Sequence, residues 1–281
     1  MIRVQDLRFN YTKQPFIENM HFNVQDGEIF GFLGPSGAGK STLQKILTGL
    51  LTTYAGSVTV NGIEVKRHDK NFYEDIGVDF EFPSLYEKLT ARQNLRFFAS
   101  LYKKHQAIDP LLESVGLLSD SEKRVSDFSK GMKARLNFIK ALLHDPVLLF
   151  LDEPTSGLDP SNARRMKDII LQEKAKGKTI LLTTHNMYDA TELCDRVAFI
   201  VDGKLRALDT PRNLIMSRGA TKVQYAYLMD DREEQKEILL KRTSEDNTLQ
   251  RLIRENHLLS IHSSEPTLND IFVELTGRQL Q

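Results

Sequence analysis

Nine consecutive residues near the start of the chain have the types and the spacing needed to hold phosphate groups. The first eight match the pattern G-x-x-x-x-G-K-S/T, and the full stretch is Gly34, Pro35, Ser36, Gly37, Ala38, Gly39, Lys40, Ser41 and Thr42. Glycine lets a backbone wrap around phosphate oxygens without Cβ clashes, and a helix start supplies N–H groups and partial positive charge. Lys40 can reach the β- and γ-phosphates of a nucleotide, and the Ser41 hydroxyl can coordinate Mg²⁺. The alternative is a glycine-rich turn with a solvated lysine.

A pair of acidic residues follows an apolar run later in the chain. Residues 147–151 include no polar side chain, and Asp152 and Glu153 come directly after them. In α/β sheets, ligands bind at the carboxyl ends of the strands, which is where these acids are expected. Asp152 suits the metal shell, directly or through water, and Glu153 suits polarisation of an attacking water. An acidic turn that merely closes a strand is the alternative.

The elements predicted around these residues alternate between strands and helices. Short strands are expected within residues 2–32, and the last of them, at 29–33, leads directly into the phosphate loop, Gly34–Thr42. The further predictions are helices at 43–50, 90–104, 130–143 and 160–177, a hairpin arm at 57–60, and strands at 147–151, 179–183 and 197–201. Such alternation implies a largely parallel sheet.

The pattern changes after about residue 218. Strands are predicted at 223–228, 237–242 and 258–262, and helices at 249–255 and 267–275. A module of this order, with about 60 residues, suits a small accessory α+β domain.

The composition narrows the class of protein. Hydrophobic residues make up 40% of the 281 residues and charged residues 27%, as in an ordinary globular chain. The formal net charge is zero, which disfavours a nucleic-acid partner because such proteins usually have a basic excess. Cys194 is the single cysteine, which fits a reducing compartment. No apolar run approaches the roughly 20 residues that span a bilayer, so we expect membrane association only through a partner.

The order of these motifs resembles that of the ATP-binding subunits of ABC transporters, over about residues 2–215. The phosphate loop resembles the Walker A motif, and the strand ending in Asp152 and Glu153 resembles Walker B, with Glu153 implied as the catalytic base. The residues similar to the family's D-loop are Ser156, Gly157, Leu158 and Asp159.

Two single residues extend this resemblance. His185 is in the place of the switch histidine that contacts the γ-phosphate, and a cap on the end of a strand is the alternative. Tyr11 is where such proteins stack an aromatic ring on adenine, although a ring of this kind also suits a core.

The signature motif departs from the family's Leu-Ser-Gly-Gly-Gln. The corresponding residues are Phe128, Ser129, Lys130, Gly131 and Met132. Ser129 and Gly131 remain, and these positions contact the γ-phosphate across the dimer in the family; Ser129 can also cap the following helix. The Ser-Lys-Gly-Met form and the tail at 265–277 resemble bacterial exporters of drugs, antibiotics or peptides.

The stretch 79–83 is in the place of the family's Q-loop, and Glu81 stands where the glutamine is usual. In the family this loop offers its side chain to Mg²⁺ and water and relays contact with the membrane subunit. A carboxylate can hold Mg²⁺ more strongly than an amide, so the resemblance implies Ser41, Glu81 and Asp152 as metal ligands. A solvated charge is the alternative for Glu81. The following segment, 83–90, is then the expected docking surface for a permease.

The resemblance also implies a fold. We expect an α/β P-loop NTPase domain at residues 1–217, with a RecA-like core, an antiparallel β subdomain and a helical subdomain at about 84–145. A small α+β domain is expected at 218–281.

The function implied is that of an ATPase that binds ATP and Mg²⁺ and powers a separate transmembrane permease from the cytoplasmic face of the membrane. The cargo class implied is drugs, antibiotics or peptides. One phosphate loop and one signature call for a second ATP-binding subunit, expected as a homodimer when ATP binds. The alternatives are a soluble ABC ATPase acting on translation or DNA, and a regulatory module that binds ATP without turnover. The former usually has paired domains or long coiled coils, and retention of Glu153 and His185 argues against the latter.

Overall fold

The computed structural model describes residues 1–217, 222–229 and 232–277. The chain divides into two units, Met1–Leu208 and a second that begins at Asp209. The expected boundary between 217 and 218 lies at the edge of the described residues, and 218–221, 230–231 and 278–281 of the expected second domain lie outside them. Within the described ranges, no helix has both the length and the apolar character needed to cross a membrane.

An antiparallel sheet forms the amino-terminal part of the first unit. Its strands are β1 (Ile2–Phe9), β2 (Ile17–Val24), β4 (Ala55–Val60) and β5 (Ile63–Glu64), in the order β2-β1-β4-β5. Asn61 and Gly62 connect β4 to β5, and both have positive φ, as the tight turn of a hairpin requires. The hairpin predicted from the sequence is confirmed.

A six-stranded sheet forms the centre of the first unit. Its strands are β3 (Ile29–Leu33), β6 (Ile76–Asp79), β7 (Leu148–Asp152), β8 (Thr179–Thr184), β9 (Arg196–Val201) and β10 (Lys204–Asp209), in the order β10-β9-β3-β8-β7-β6. The strands from β9 to β6 pair in parallel. β3, β7 and β8 are buried along their whole length, which explains the apolar runs of β3 and β7; β8 also buries three threonines, Thr179, Thr183 and Thr184. The predicted parallel sheet is confirmed.

Six helices surround these sheets. They are α1 (Lys40–Leu47), α2 (Ala91–Ala99), α3 (Ile108–Ser114), α4 (Lys130–Leu142), α5 (Pro160–Ala175) and α6 (Met187–Leu193). Thr90 and Gln93 form a capping box at the start of α2. Between residues 84 and 145 the chain forms helices and turns, with no strand in this fully described stretch.

The helix predicted at 90–104 is too long, since α2 ends at Ala99. The residues that follow are held by contacts outside the helix. The ring of Tyr102 stacks on His144 with 3.8 Å between centroids, and the backbone N–H of Lys103 donates to the carboxylate of Glu74 at 3.3 Å. Tertiary contacts therefore override the helical periodicity of this stretch.

The main core lies between the antiparallel sheet, α1 and one face of the parallel sheet. Phe22 from β2 contacts Phe30 and Phe32 from β3, with ring centroids 5.9 Å and 5.1 Å apart. Leu43 and Leu47 of α1 are fully buried in the same cluster. This packing fixes the start of α1 against the end of β3, which sets the position of the loop between them.

The second unit has a three-stranded antiparallel sheet and three helices. The elements are α7 (Pro211–Met216), β11 (Lys222–Met229), β12 (Arg232–Leu239), α8 (Asn247–Arg254), β13 (Leu258–Ser264) and α9 (Leu268–Thr276), and the sheet order is β12-β11-β13. Tyr225, Leu249 and Leu252 form a small core. The strand predicted at 237–242 is wrong in its bounds, because β12 begins at Arg232 and residues 240–242 form a 3₁₀ turn.

Candidate functional site

The phosphate loop connects β3 to α1. Gly34 lies so close to β9 that a Cβ atom there would be 2.1 Å from the carbonyl oxygen of Ile200, so only glycine fits. The Lys40 ammonium donates to the carbonyl oxygens of Gly34 at 2.6 Å and Pro35 at 3.1 Å. The lysine therefore folds back over the loop, with its charge beside the amino end of α1.

A cavity of about 290 Å³ opens over this loop. Its lining consists of Phe16, Ser36, Gly37, Ala38, Gly39, Lys40, Ser41, Thr42, Glu81, Asp152, Glu153, Ser156 and His185. The structure thus brings residues expected from five separate motifs to one place, at the carboxyl ends of parallel strands. Gly34 and Pro35 lie at the base of the loop, where they contact Lys40.

Glu153 is held from several sides. Its backbone has φ of 53°, a left-handed conformation that is strained for a residue with a side chain. Its Oε1 lies 2.8 Å from Nδ1 of His185, and its Oε2 accepts a hydrogen bond from the Thr184 hydroxyl at 3.2 Å. The neighbouring Asp152 accepts a hydrogen bond from the Thr183 hydroxyl. The ends of β7 and β8 therefore position both acids and the histidine together.

The charge of Lys40 interacts with three acidic side chains in the cavity. Burial lowers the pKa of Lys40, and the carboxylates of Glu153, Asp152 and Glu81 oppose that effect in this order. Glu81 itself is exposed in the bend after β6 and still reaches the cavity wall. The cavity therefore combines one buried ammonium with three carboxylates.

The donor set of Ser41, Glu81 and Asp152 fits a hard divalent cation such as Mg²⁺, since all three offer oxygen atoms. Within residues 1–217, 222–229 and 232–277, no three His, Cys, Asp or Glu side chains form a ready-made metal cluster. Mg²⁺ typically takes one or two carboxylates and completes its shell with water and substrate phosphates. The residues present match that mode of binding.

Two aromatic side chains lie at the mouth of the cavity. The Tyr11 hydroxyl is 3.0 Å from the Thr42 hydroxyl, and the side chain is 57% exposed. Its ring meets Phe16 edge to face with 5.3 Å between centroids. Phe16 lines the cavity but belongs to none of the motifs identified in the sequence, so it is an additional functional candidate. Its only signal in the sequence is its aromatic side chain just before β2.

The signature residues 128–132 line no part of the phosphate cavity described above. The Ser129 hydroxyl accepts a hydrogen bond from the backbone N–H of Met132 at 3.2 Å and so caps α4. Lys130 is exposed, and its side chain lies beside Gly157. A Cβ atom on Gly157 would be 3.5 Å from Cε of Lys130. In the stretch 156–159, Asp159 caps α5 through the N–H of Asn162 at 3.0 Å.

Two buried polar residues beside the cavity have no role predicted from the sequence. Asp79, at the end of β6, is 5% exposed and Asn137, in α4, is 2% exposed. The Asn137 amide donates to the Asp79 carboxyl and to the carbonyl oxygen of Phe80 at 3.2 Å. Burial raises the pKa of Asp79 to about 7, although Lys140 and the amide oppose the shift. An acid that ends an apolar strand is the signal in the sequence that points to this pair.

Comparison with known proteins agrees with this geometry. The model of the ABC transporter family matches residues 17–156. A fluoroquinolones export ATP-binding protein of Mycobacterium tuberculosis is 52% identical, and the alignment covers 100% of this chain and 94% of that protein. A Nod factor export ATP-binding protein I of Rhizobium etli is 35% identical, with 100% of this chain and 94% of that protein covered.

A solved structure of the ATP-binding subunit of an ABC transporter is also similar. It has 32% sequence identity and a TM-score of 0.72, and the match covers 78% of this chain and 93% of that one. The expected fold class, an α/β P-loop NTPase with an antiparallel sheet, a helical part and a small α+β unit, is confirmed. The chain belongs to the ABC transporter family and is one of its ATP-binding proteins.

Proposed function

We propose that this chain is the ATP-hydrolysing subunit of an exporter of drugs, antibiotics or peptides. The observation that carries the proposal is the cavity in which the phosphate loop, Asp152, Glu153 and His185 converge. The names of the relatives support the exporter class, since one is named for fluoroquinolones export and the other for Nod factor export. The cargo itself is expected to contact the membrane subunit.

The proposed chemistry assigns a role to each side chain. The N–H groups of the phosphate loop and Lys40 bind the β- and γ-phosphates, and Tyr11 stacks on adenine. Glu153 orients and polarises the attacking water, and His185 contacts the γ-phosphate. Since Glu153 and His185 contact each other at 2.8 Å, their pairing must loosen as each reaches its own partner. Mg²⁺, held by Ser41, Glu81 and Asp152, would neutralise charge on the phosphates.

A second ATP-binding subunit completes the proposed site. The signature residues 128–132 do not line the phosphate cavity of their own chain, and we propose that they close over ATP held by another copy. We propose that two copies associate on ATP binding and that residues 156–159 lie near their junction. ATP then favours the closed dimer, and hydrolysis removes the phosphate that bridges the halves.

The permease is proposed to dock beside Glu81. Phe82 is 79% exposed, and Tyr86, Phe97 and Leu101 are further exposed apolar side chains in the helical part of the unit. Exposed apolar clusters of this kind mark interaction surfaces. Through this contact the chain would lie on the cytoplasmic face of the membrane.

We also propose that the ATP-binding domain comprises residues 1–217 and that the small accessory domain comprises residues 218–281.

The catalytic assignment is tested by Glu153→Gln. This change keeps the shape of the side chain and removes its basicity, so we expect the ATPase rate of the purified chain to fall by about 100-fold or more. ATP binding should persist, because the phosphate loop is untouched. The matched control is Glu18→Gln, which removes a carboxylate that pairs with Lys204 at the surface. A variant that hydrolyses ATP as fast as the parent would refute the role of Glu153, and a parent without turnover would refute the ATPase.

A further inference from the structure

One face of α4 carries a row of polar side chains that all reach the chain around Glu81. Lys133, Asn137 and Lys140 have the spacing of one helix face, and together they are called the α4 stripe. The Lys133 ammonium donates to the Glu87 carboxylate at 2.7 Å. The Lys140 ammonium donates to the carbonyl oxygen of Ser84 at 3.4 Å. The stripe therefore follows the loop formed by residues 80–87 over its length.

The central contact of the stripe is buried. Asn137 donates to both the Asp79 carboxyl and the Phe80 carbonyl oxygen, so a single amide fixes the point where β6 becomes the loop. The Oδ1 atom of Asn137 is a buried acceptor with no hydrogen-bond partner among the described residues. Buried polar contacts of this kind define one geometry, because an unmade bond is costly.

The backbones of α4 and β6 also come very close. A Cβ atom on Gly77 would lie 2.2 Å from the carbonyl oxygen of Ala141, so glycine is required for the helix to seat on the strand. Just beyond α4, the His144 ring nitrogen Nε2 lies 2.9 Å from the carbonyl oxygen of Ile76. These contacts fix β6 and the carboxyl end of α4 relative to each other.

The far end of the loop is fixed in the same way from α2. Asn94 is fully buried, and its side chain accepts a hydrogen bond from the Tyr86 N–H at 2.8 Å and donates to the Tyr86 carbonyl oxygen at 3.0 Å. Between these anchors, Glu81 lines both the phosphate cavity and a second cavity of about 400 Å³ that also contains Asp79 and Asn137. The loop is thus anchored at both ends while Glu81 remains free to meet a ligand.

We propose that Asp79 and Asn137 are positioning residues, which fix the Glu81 carboxylate in a constant relation to the signature residues at the amino end of α4. This inference rests on the proposed ATPase function and adds two residues that act through Glu81 and the signature. A movement of the loop is then transmitted to the signature by the helix itself. The hydrogen bonds of Asn137 with Asp79 and Phe80, here called the polar tether, transmit this movement together with the packing of α4 on β6.

The decisive variant replaces both partners by apolar side chains of similar shape, as Asp79→Val with Asn137→Leu. Removing one partner leaves a buried polar group unpaired, whereas replacing both by apolar side chains can be nearly neutral for stability. The double variant therefore removes the tether and keeps the packing. We expect a melting temperature within about 3 °C of the parent. We expect kcat to fall about tenfold and the KM for ATP to stay within about twofold, because loose positioning affects the reaction more than phosphate binding.

A second readout does not depend on catalysis. Hydrogen–deuterium exchange of peptides covering residues 80–90 should become faster in the double variant, because the loop loses its central anchor. The matched control is Asn61→Gly, which removes another amide that donates to an aspartate next to β6, that of Asp75 at 2.9 Å, without touching α4. Glycine accepts the positive φ of this position. Neither kcat nor the exchange of residues 80–90 should change in the control.

An exposed pair gives an independent variant in case the double variant does not fold. Lys133→Glu should lower kcat about twofold to fivefold, and the exchanged pair Lys133→Glu with Glu87→Lys should recover it. If the double variant folds, an unchanged kcat together with unchanged hydrogen–deuterium exchange would overturn the inference. If only the variant with the reversed ion pair folds, failure of that variant to recover kcat would overturn it. These outcomes differ from failure of the proposed function, in which the parent itself does not hydrolyse ATP.

Discussion

The buried carboxyl of Asp79 allows a quantitative prediction about stability and pH. Burial raises its pKa in the folded chain to about 7 from an ordinary value of 3.8. Below about pH 4 the carboxyl is neutral in both the folded and the unfolded chain. Between about pH 4 and 7 it ionises only in the unfolded chain, so the free energy of unfolding falls as the pH rises. Above the folded pKa both states are ionised and the loss is complete.

The size of the loss follows from the difference between the two pKa values. At about 1.4 kcal/mol per pH unit, the interval from 3.8 to about 7 corresponds to about 4 kcal/mol. Asp79→Asn keeps the shape and cannot ionise, and its amide can still exchange hydrogen bonds with Asn137. The variant should therefore match the parent near pH 4 and exceed it in stability by up to about 4 kcal/mol at pH 8.

Urea unfolding followed by circular dichroism, in buffers from pH 4 to pH 8 without divalent cations, measures this difference. Subtracting the parent's free energy from that of the variant cancels the titration of all other groups. Asp75→Asn is the control, because Asp75 lies at the opposite end of β6, is partly exposed and is bonded to Asn61. Its difference from the parent should vary by less than about 0.5 kcal/mol over this range. A flat difference for Asp79→Asn would show that Asp79 is ionised in the folded chain at all these pH values, and the reasoning would fail.

Two further substitutions test the surroundings of Asp79. Glu81→Gln should make the affinity for ATP depend less steeply on Mg²⁺, measured by calorimetric titration at several Mg²⁺ concentrations; an unchanged dependence would remove Glu81 from the metal site. Phe82→Ser combined with Tyr86→Ser should abolish co-purification with the proposed permease subunit and leave the ATPase of the isolated chain intact. Leu259→Ser, at an exposed apolar position of the second unit, should do neither, and equal retention of the membrane protein by all variants would contradict the docking surface.

The elements that hold the phosphate loop could be predicted because their sequence signals are local. β3 and β7 are buried along their whole length, so each consists mostly of consecutive apolar residues, and such a run is visible in the sequence itself. Three short helices, α3, α6 and α7, lie where no helix is predicted. The longest of them has 7 residues, which is too short for a repeated apolar face.

Strand β12 shows why one boundary was not predictable. Its side chains are almost all exposed and mainly charged, so no alternation marks its start at Arg232. The strand exists because its backbone pairs with β11 along its full length, from Lys222 opposite Leu239 to Met229 opposite Arg232. Such pairing depends on the preceding strand β11, and the sequence of β12 itself does not show it.

The candidate site was also predictable only in part. The residue types and the order of the motifs are enough to predict that Lys40, Asp152 and Glu153 lie at one edge of the sheet. The contact between Glu153 and His185 and the anchoring of Glu81 from α4 have no local signal, since each joins residues that are far apart in sequence. Motifs identify the reacting groups, whereas the contacts between elements determine how these groups move together.

In the proposed Q-loop assignment, Glu81 in place of a glutamine changes the charge of the cavity more than its shape. Glu81 joins Asp152 and Glu153 as the third carboxylate that interacts with Lys40. ATP is itself a polyanion, and the positive charge that the chain offers in the cavity comes mainly from Lys40 and the amino end of α1. A cation that enters with the nucleotide would offset the added repulsion, and Glu81 would become its ligand. Because α4 anchors the loop that carries Glu81, the same cation would also bear on the position of the signature. We therefore expect metal binding and signature movement to be coupled more closely in this chain than where the loop carries a neutral amide.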